Sequence, residues 1–215
     1  MCQIQYNYMD TEYQAGTEGL KYAAARGLGI VVMEPLRGGR LASPPPAAAD
    51  VFRASDTDRS PAEWALQWVW DQAEVSTLLS GMKAMREVEE NLRAADRSGV
   101  GSLDARGLEL IERVRKIFLE RAAIPCTQCG YCRPCPSGVD IPKNFELYND
   151  CLVYDDPAIP RATYARFVPE GERAGACTGC RECEEKCPQG IAISECMPEV
   201  DAVLGGNRPP KQRAR

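Results

Sequence analysis

Eight cysteines in the second half of the chain form two short runs with a spacing typical of metal binding. The first run is Cys126, Cys129, Cys132 and Cys135, with two residues between neighbours, and the second is Cys177, Cys180, Cys183 and Cys187, with three residues before the last. Thiolates three positions apart in a tightly wound loop can reach one cubane from the same side, and the fourth ligand then comes from elsewhere. The runs therefore predict two iron–sulfur clusters, both of the [4Fe–4S] type.

Both runs end in a cysteine followed by proline, and together they form an internal repeat. A shift of 51 positions carries the first three cysteines of the first run onto those of the second. A shift of 52 positions carries Cys135, Pro136, Gly138 and Ile141 onto Cys187, Pro188, Gly190 and Ile193. The repeat predicts a pseudo-twofold relation between the two clusters.

The last cysteine of each run is predicted to ligate the cluster of the other run. In two-cluster ferredoxins the cysteine before proline does this. By that rule one cluster is held by Cys126, Cys129, Cys132 and Cys187, and the other by Cys177, Cys180, Cys183 and Cys135. The two-residue spacing before Cys135 is one residue shorter than usual. This difference affects the geometry with which Cys135 reaches the other cluster, but it does not change the predicted ligand set.

Zinc and disulfide bonds are the competing interpretations of these cysteines. Structural zinc also uses four-cysteine sites, but these usually combine two well-separated pairs. A disulfide framework is disfavoured because the 11 cysteines are an odd number and the N-terminal residues lack the segments of a secretion signal. The remaining cysteines, Cys2, Cys151 and Cys196, are predicted to pack as small hydrophobic residues.

The composition excludes several classes of function. The chain has no histidine, so it contains no Ser-His-Asp triad, no Cys-His dyad and no histidine-ligated metal. Its formal charge of −5 disfavours general nucleic-acid binding. It has no apolar run of the roughly 18 residues that a transmembrane helix needs. We therefore predict a cytoplasmic protein with neither nucleic acid nor membrane as a partner.

Before the cysteine runs, short apolar segments alternate with helical patterns. Strands are predicted at residues 2–8, 29–33 and 75–79, and helices at 18–26, from Ser60 onward, and at 85–95. Ser60 is the predicted N-cap of its helix, with Pro61 in the first turn and Glu63 completing a capping box. The alternation predicts a parallel sheet with right-handed crossovers.

The region of the cysteine runs is predicted to be mostly helical. Helices are expected at residues 103–122, 144–153 and 160–167, around and between the two runs. The predicted organisation is an α/β domain at 1–102, a helical domain with the two cluster motifs at 103–205, and a disordered basic tail at 206–215.

Three parallel strands are too few to close a barrel, and the edges of a parallel sheet need neighbours. The sequence is therefore expected to lack an upstream part, or to receive that part from another chain.

The first region resembles the last three βα units of the aldo/keto reductases, which are NAD(P)-dependent (β/α)8 barrels. The resemblance is carried by residues 3–8 (QIQYNY), 29–39 (GIVVMEPLRGG), 80–82 (SGM) and 88–92 (VEENL). Some members of that family carry a C-terminal ferredoxin-like extension, which residues 126–141 and 177–193 resemble. The implied fold class is α/β, with a partial TIM barrel followed by a mostly α-helical ferredoxin-like domain.

The resemblance also implies where a nicotinamide nucleotide would bind. The implied contacts are Gln3 for the carboxamide, Glu34, Leu36 and Gly38 for the pyrophosphate, Ser80, Gly81 and Lys83 for a phosphate, and Glu90 and Asn91 for adenine. The phosphate contacts precede a helix, whose N-terminus favours an anion. Lys83 is the sole basic candidate for a 2′-phosphate, so the choice between NADH and NADPH stays open.

The catalytic Asp, Tyr, Lys and His of that family come from its earlier strands, so no catalytic residue is assigned here. The resemblance implies an iron–sulfur oxidoreductase of the aldo/keto reductase type, in which this chain carries two clusters for electron transfer. The chain alone is expected to be inactive and to bind NAD(P) only with an upstream barrel half. Two alternatives stay open: a stand-alone ferredoxin-like module that serves a redox partner protein, and clusters that only brace the fold.

Overall fold

The computed structural model describes residues 1–210, which divide into two compact units. The first unit comprises Met1–Ile117 and the second begins at Phe118. The elements are β1 (Cys2–Gln5), α1 (Gly16–Ala24), β2 (Ile30–Met33), α2 (Pro46–Arg53), α3 (Pro61–Trp70), β3 (Thr77–Leu78), α4 (Met85–Asp96), α5 (Ala105–Glu120), α6 (Ile141–Val153), α7 (Ala158–Phe167), α8 (Glu182–Glu185) and α9 (Ile193–Leu204). The boundary predicted after residue 102 precedes α5, whereas the division between the units falls inside this helix.

The first unit contains a parallel sheet in the strand order β1-β2-β3. Ile4 pairs with Val32 in the register of β1 and β2, and Val32 pairs with Leu78 of β3. The central strand is the most apolar, and Ile30 and Val32 are fully buried in it. The parallel sheet predicted from the alternating pattern is therefore confirmed within the described residues, although β3 is shorter than the predicted strand at 75–79.

Helix α3 begins as predicted at its first turn, but only half of its capping box forms. The Ser60 hydroxyl accepts a hydrogen bond from the Glu63 backbone N–H at 3.1 Å, and Pro61 occupies the first turn. The Glu63 carboxylate instead pairs with Arg97 at 2.8 Å. The predicted reciprocal bond from Glu63 is therefore wrong, because a distant arginine competes for the carboxylate.

Two local features of the first unit were not predicted. Residues 46–53, for which no helix or strand was predicted, form the short helix α2. Its Phe52 stacks on Trp64 with the ring centroids 5.8 Å apart, which explains why this side chain is buried. Helix α4 is capped by its own Glu87, whose carboxylate accepts from the backbone N–H groups of Lys83 and Ala84.

The second unit packs α6, α7 and α9 around a core of its own. Phe145, Met197 and Val200 are fully or almost fully buried there. The predicted helices at 144–153 and 160–167 are present and begin two or three residues earlier. Asn149 of α6 fixes the approach to the first cysteine run, because its side chain accepts from the backbone of Ala123 at 3.1 Å and donates to that of Ile124 at 2.7 Å.

The predicted basic tail is described only in part. Residues 206–210 form no helix or strand, and Arg208 forms an ion pair with Glu199 of α9. Arg208 also accepts a hydrogen bond from Arg161 at its backbone carbonyl. The rest of the predicted tail, 211–215, lies outside the described residues. Within residues 1–210 no helix combines the length and the apolar character needed to cross a bilayer.

Tyr164 of α7 connects α9 and the segment before the second cysteine run through its hydroxyl group. The hydroxyl donates to Asp201 at 3.2 Å and accepts from the buried backbone N–H of Ala174 at 3.0 Å. Burial raises the pKa of Tyr164 to about 12, so the hydroxyl keeps its proton at neutral pH.

Tyr164→Phe is therefore expected to destabilise the second unit by about 1–2 kcal/mol, because the Ala174 N–H loses its acceptor. The measurement is the urea midpoint of the anaerobically purified chain. Thr163→Val is the matched control, because it removes an exposed hydroxyl from the same helix that binds only the Ile159 carbonyl. Equal midpoints for the two variants would contradict the role assigned to Tyr164.

Candidate cluster-binding and nucleotide-binding sites

The two cysteine runs adopt the same backbone path. Left-handed residues stand immediately before and after the exposed second cysteine of each run, at Gln128 and Gly130 in the first and at Gly179 and Arg181 in the second. The glycines after the Cys-Pro pairs, Gly138 and Gly190, also have positive φ, and their N–H groups bond to the carbonyls of Cys135 and Cys187 at 2.9 and 3.1 Å. The sequence repeat is thus also a structural repeat.

The burial of the eight cysteines follows the same repeat. In each run the first and fourth cysteines are half-buried, the second is exposed and the third is buried. A helix begins shortly after each run, and its first residue, Ile141 or Ile193, is buried in the core of the second unit. Each set of sulfur atoms therefore lies between an apolar core and the protein surface.

One cavity brings the end of the second run to the first run. Three cysteines of the first run line it together with Cys187, and the complete cysteine lining is Cys126, Cys129, Cys132 and Cys187. Ile141, Phe145 and Ile193 form apolar walls of the same cavity. The structure thus places together the four residues that the sequence assigns to one cluster.

The interactions that shift the thiol pKa values also associate the last cysteine of each run with the other run. Burial raises the pKa of Cys126, and nearby Cys129 and Cys187 raise it further. Burial raises the pKa of Cys183 to about 11, and charges on Glu184, Cys135 and Cys180 act in the same direction. The last cysteine of each run is therefore close to the other run.

The donor set fits a polynuclear iron cluster. Thiolates are the usual ligands of iron–sulfur clusters, and two groups of four are available here. Among residues 1–210 no three His, Cys, Asp or Glu side chains converge closely enough for one metal ion. A cluster of several irons does not require its ligands to meet at a single atom.

Of the other cysteines, Cys151 is buried and donates its thiol proton to the Leu147 carbonyl, and Cys196 is half-buried against the core.

The first unit contains a separate open cleft of about 780 Å³ at the ends of β2 and β3. Eight of the nine predicted nucleotide contacts line it: Glu34, Leu36, Gly38, Ser80, Gly81, Lys83, Glu90 and Asn91. The ninth, Gln3, does not line it, but its amide donates to the sulfur of Met33, which does, at 3.3 Å. The structure therefore brings eight of the nine predicted contacts together at one site.

Several cleft residues are already hydrogen-bonded to each other. Asn91 donates to the Ser80 hydroxyl at 3.0 Å, and the Ser60 hydroxyl donates to the Glu90 carboxylate. The backbone hydrogen bonds of Lys83 and Ala84 lower the pKa of the Glu87 carboxyl. A phosphate at the start of α4 would have to compete with this carboxylate for the same N–H groups.

A buried polar network positions the loop on one side of the cleft, and no pattern in the sequence indicated it. Asp10, only 4% exposed, accepts hydrogen bonds from Gln5 at 2.8 Å and Asn7 at 2.9 Å and pairs with Arg37 at 3.1 Å. Asn7 also donates to the Glu34 carbonyl at 2.9 Å. Glu34 and Arg37 both have positive φ, so the network holds an unfavourable loop conformation in place.

Comparison with known protein families identifies both regions. Residues 1–104 match the aldo/keto reductase family, and residues 125–193 match the 4Fe-4S dicluster domain. The protein therefore contains an aldo/keto reductase domain and a 4Fe–4S dicluster domain. No curated protein sequence matches the chain.

Solved structures of aldo-keto reductase AKR11C1 from Bacillus halodurans are similar to part of the chain. The holo and apo forms are each 22% identical to it, with a TM-score of 0.41. The match covers 52% of this chain and 41% and 42% of theirs. The chain thus spans less than half the length of those proteins.

Asp10→Ala is expected to lower the stability of the first unit by about 3 kcal/mol, because a partly buried arginine and two amides lose a shared carboxylate. The measurements are the urea midpoint and the amide hydrogen exchange of residues 34–39, which should become faster.

Asp50→Ala is the control, because Asp50 forms an ion pair with Arg53 in which both side chains are exposed. Its expected effect is within about 0.5 kcal/mol. Unchanged exchange at residues 34–39 in Asp10→Ala would show that the network does not hold the loop.

Proposed function

We propose that this protein is an iron–sulfur oxidoreductase of the aldo/keto reductase type that binds two [4Fe–4S] clusters by crossed ligation. One cluster is held by Cys126, Cys129, Cys132 and Cys187, and the other by Cys177, Cys180, Cys183 and Cys135. The observation that carries the proposal is the position of Cys187, which lines the same cavity as the first three cysteines of the other run.

Bound clusters would supply one-electron transfer. The protein contributes the wound loops that aim the thiols, and the apolar side chains Ile141, Phe145 and Ile193 that keep water from one side of the first cavity. Cys129 and Cys180 are exposed, so one ligand of each set lies at the surface. A redox partner protein could approach the clusters at these two positions.

The cleft of the first unit is the proposed site for NAD(P). Its volume is within the range of about 300–1,000 Å³ that is typical of small-molecule sites. It combines the apolar Met33 and Leu36 with the basic Lys83 and Arg86.

Further βα units are proposed to complete this site and to supply the catalytic residues. The described sheet has only three strands, with β1 and β3 at its edges. Exposed apolar residues follow the edge strand β3 and continue onto α4, among them Leu79, Met85 and Leu92. Such residues are suited to packing against an upstream barrel half.

A stand-alone electron-transfer module is the second candidate. It is favoured by the separate core of the second unit, in which α6, α7 and α9 pack around the cysteine runs without a contribution from the sheet. In this case the first unit would serve for docking rather than for nucleotide chemistry.

Pairs of cysteine substitutions test the crossed ligand sets directly. Cys129→Ala with Cys187→Ala removes two ligands from one proposed cluster, so about four irons per chain are expected to remain. Cys129→Ala with Cys135→Ala removes one ligand from each cluster, so both are expected to be impaired. The measurements are the iron and sulfide content and the EPR spectrum of the reduced, anaerobically purified chain.

Uncrossed ligation predicts the reverse, with the pair Cys129→Ala and Cys135→Ala retaining one intact cluster. Cys196→Ala is the matched control, because Cys196 packs against the same core but belongs to neither ligand set. This control is expected to retain the iron content of the unaltered chain.

A further inference from the structure

A pair of hydroxyl groups joins the two cysteine runs next to the proposed second cluster. The hydroxyl oxygens of Ser137 and Thr178 are 2.9 Å apart and share a hydrogen bond. Ser137 follows the Cys135-Pro136 pair, and Thr178 immediately follows Cys177. The bond therefore connects the segment that supplies the remote fourth ligand to the loop that supplies the other three.

The repeat places a different pair of side chains at the equivalent positions of the other site. The shifts of 51 and 52 positions that relate the runs carry Thr127 onto Thr178 and Ser137 onto Gln189. Thr127 and Gln189 both line the first cavity, so the equivalent positions also lie beside a ligand set. The first site has a hydroxyl and a longer amide where the second has two hydroxyls.

We propose that Ser137 and Thr178 are positioning residues for the cluster held by Cys177, Cys180, Cys183 and Cys135, and that their hydrogen bond makes this cluster differ from the other in reduction potential and in retention of iron. The proposal rests on the proposed function, because it takes the crossed ligand sets as given.

The effect on iron retention follows from the connectivity of the site. Cys177, Cys180 and Cys183 belong to one loop, whereas Cys135 belongs to the other run. The hydrogen bond between Ser137 and Thr178 holds the two segments together. Loss of the bond therefore favours opening of the ligand set at Cys135, which is the step that exposes iron to a chelator.

The effect on potential follows from the orientation of the two hydroxyl groups. Their mutual bond fixes the direction of the O–H dipoles of Ser137 and Thr178 beside the second ligand set. Hydrogen-bond donors and dipoles close to cluster sulfur stabilise the additional negative charge of the reduced state. Removal of either hydroxyl is therefore expected to make reduction of this cluster harder.

The test uses Ser137→Ala, Thr178→Val and the double variant, each purified without oxygen as the full chain. EPR-monitored redox titration measures the reduced fraction of each cluster, and chelator-driven iron release measures retention. The pair Cys129→Ala and Cys187→Ala, which leaves only the second ligand set intact, identifies the signal of this cluster. Thr163→Val is the control, because its hydroxyl bonds within α7 and away from both runs.

At a fixed solution potential, the reduced-to-oxidised ratio of the second cluster is expected to fall about threefold or more, the scale of one lost hydrogen bond. About four irons per chain should leave faster, while the others leave at the original rate. The two single variants and the double variant should give the same shift, because each breaks the same bond.

The inference is overturned if both clusters shift alike, if neither shifts, or if Thr163→Val has the same effect. An additive shift in the double variant would likewise show that the two hydroxyls act separately. Absence of iron from the unaltered chain would instead contradict the proposed function itself, so the two failures are distinguishable.

Discussion

The convergence that we propose for eight thiols from two distant runs is the constraint on which the second unit depends. Thiolates are negatively charged and repel one another, and burial already raises the pKa of Cys126, Cys132 and Cys183. Without a metal, neutral thiols are favoured at these positions. Binding of iron would replace these protons and neutralise the charge, so the free energy of binding would contribute to folding. The crossed ligand sets that we propose would extend this coupling to both runs at once.

The cysteine runs could be identified from the sequence because the features that define them involve residues close together in the chain. Spacing, the Cys-Pro pairs and the repeat are properties of neighbouring residues, and the structure shows the same repeat in backbone conformation and burial. The N-cap Ser60 was predictable for the same reason, since its partner is three residues away. Left-handed backbone at Gln128 and Arg181 was not predictable, because neither residue type favours it and the loop imposes it.

Contacts between distant residues account for what the sequence did not reveal. The Glu63 carboxylate pairs with Arg97 rather than with the backbone at the start of its own helix. Asp10 accepts hydrogen bonds from Gln5 and Asn7 and pairs with Arg37. These hydrogen-bond and ion-pair partners depend on which side chains the fold brings together, and the periodicity of the sequence does not indicate them. The cleft was predictable in part. Its residues were identified through a family resemblance, whereas the hydrogen-bond network around Asp10 is visible only in the structure.

The most direct test of the account is the content of iron, acid-labile sulfide and zinc in the chain purified without oxygen. Two crossed cubanes predict about eight irons and eight sulfides per chain and no stoichiometric zinc. About two zinc ions per chain without sulfide would contradict the account and would identify the cysteine runs as structural zinc sites.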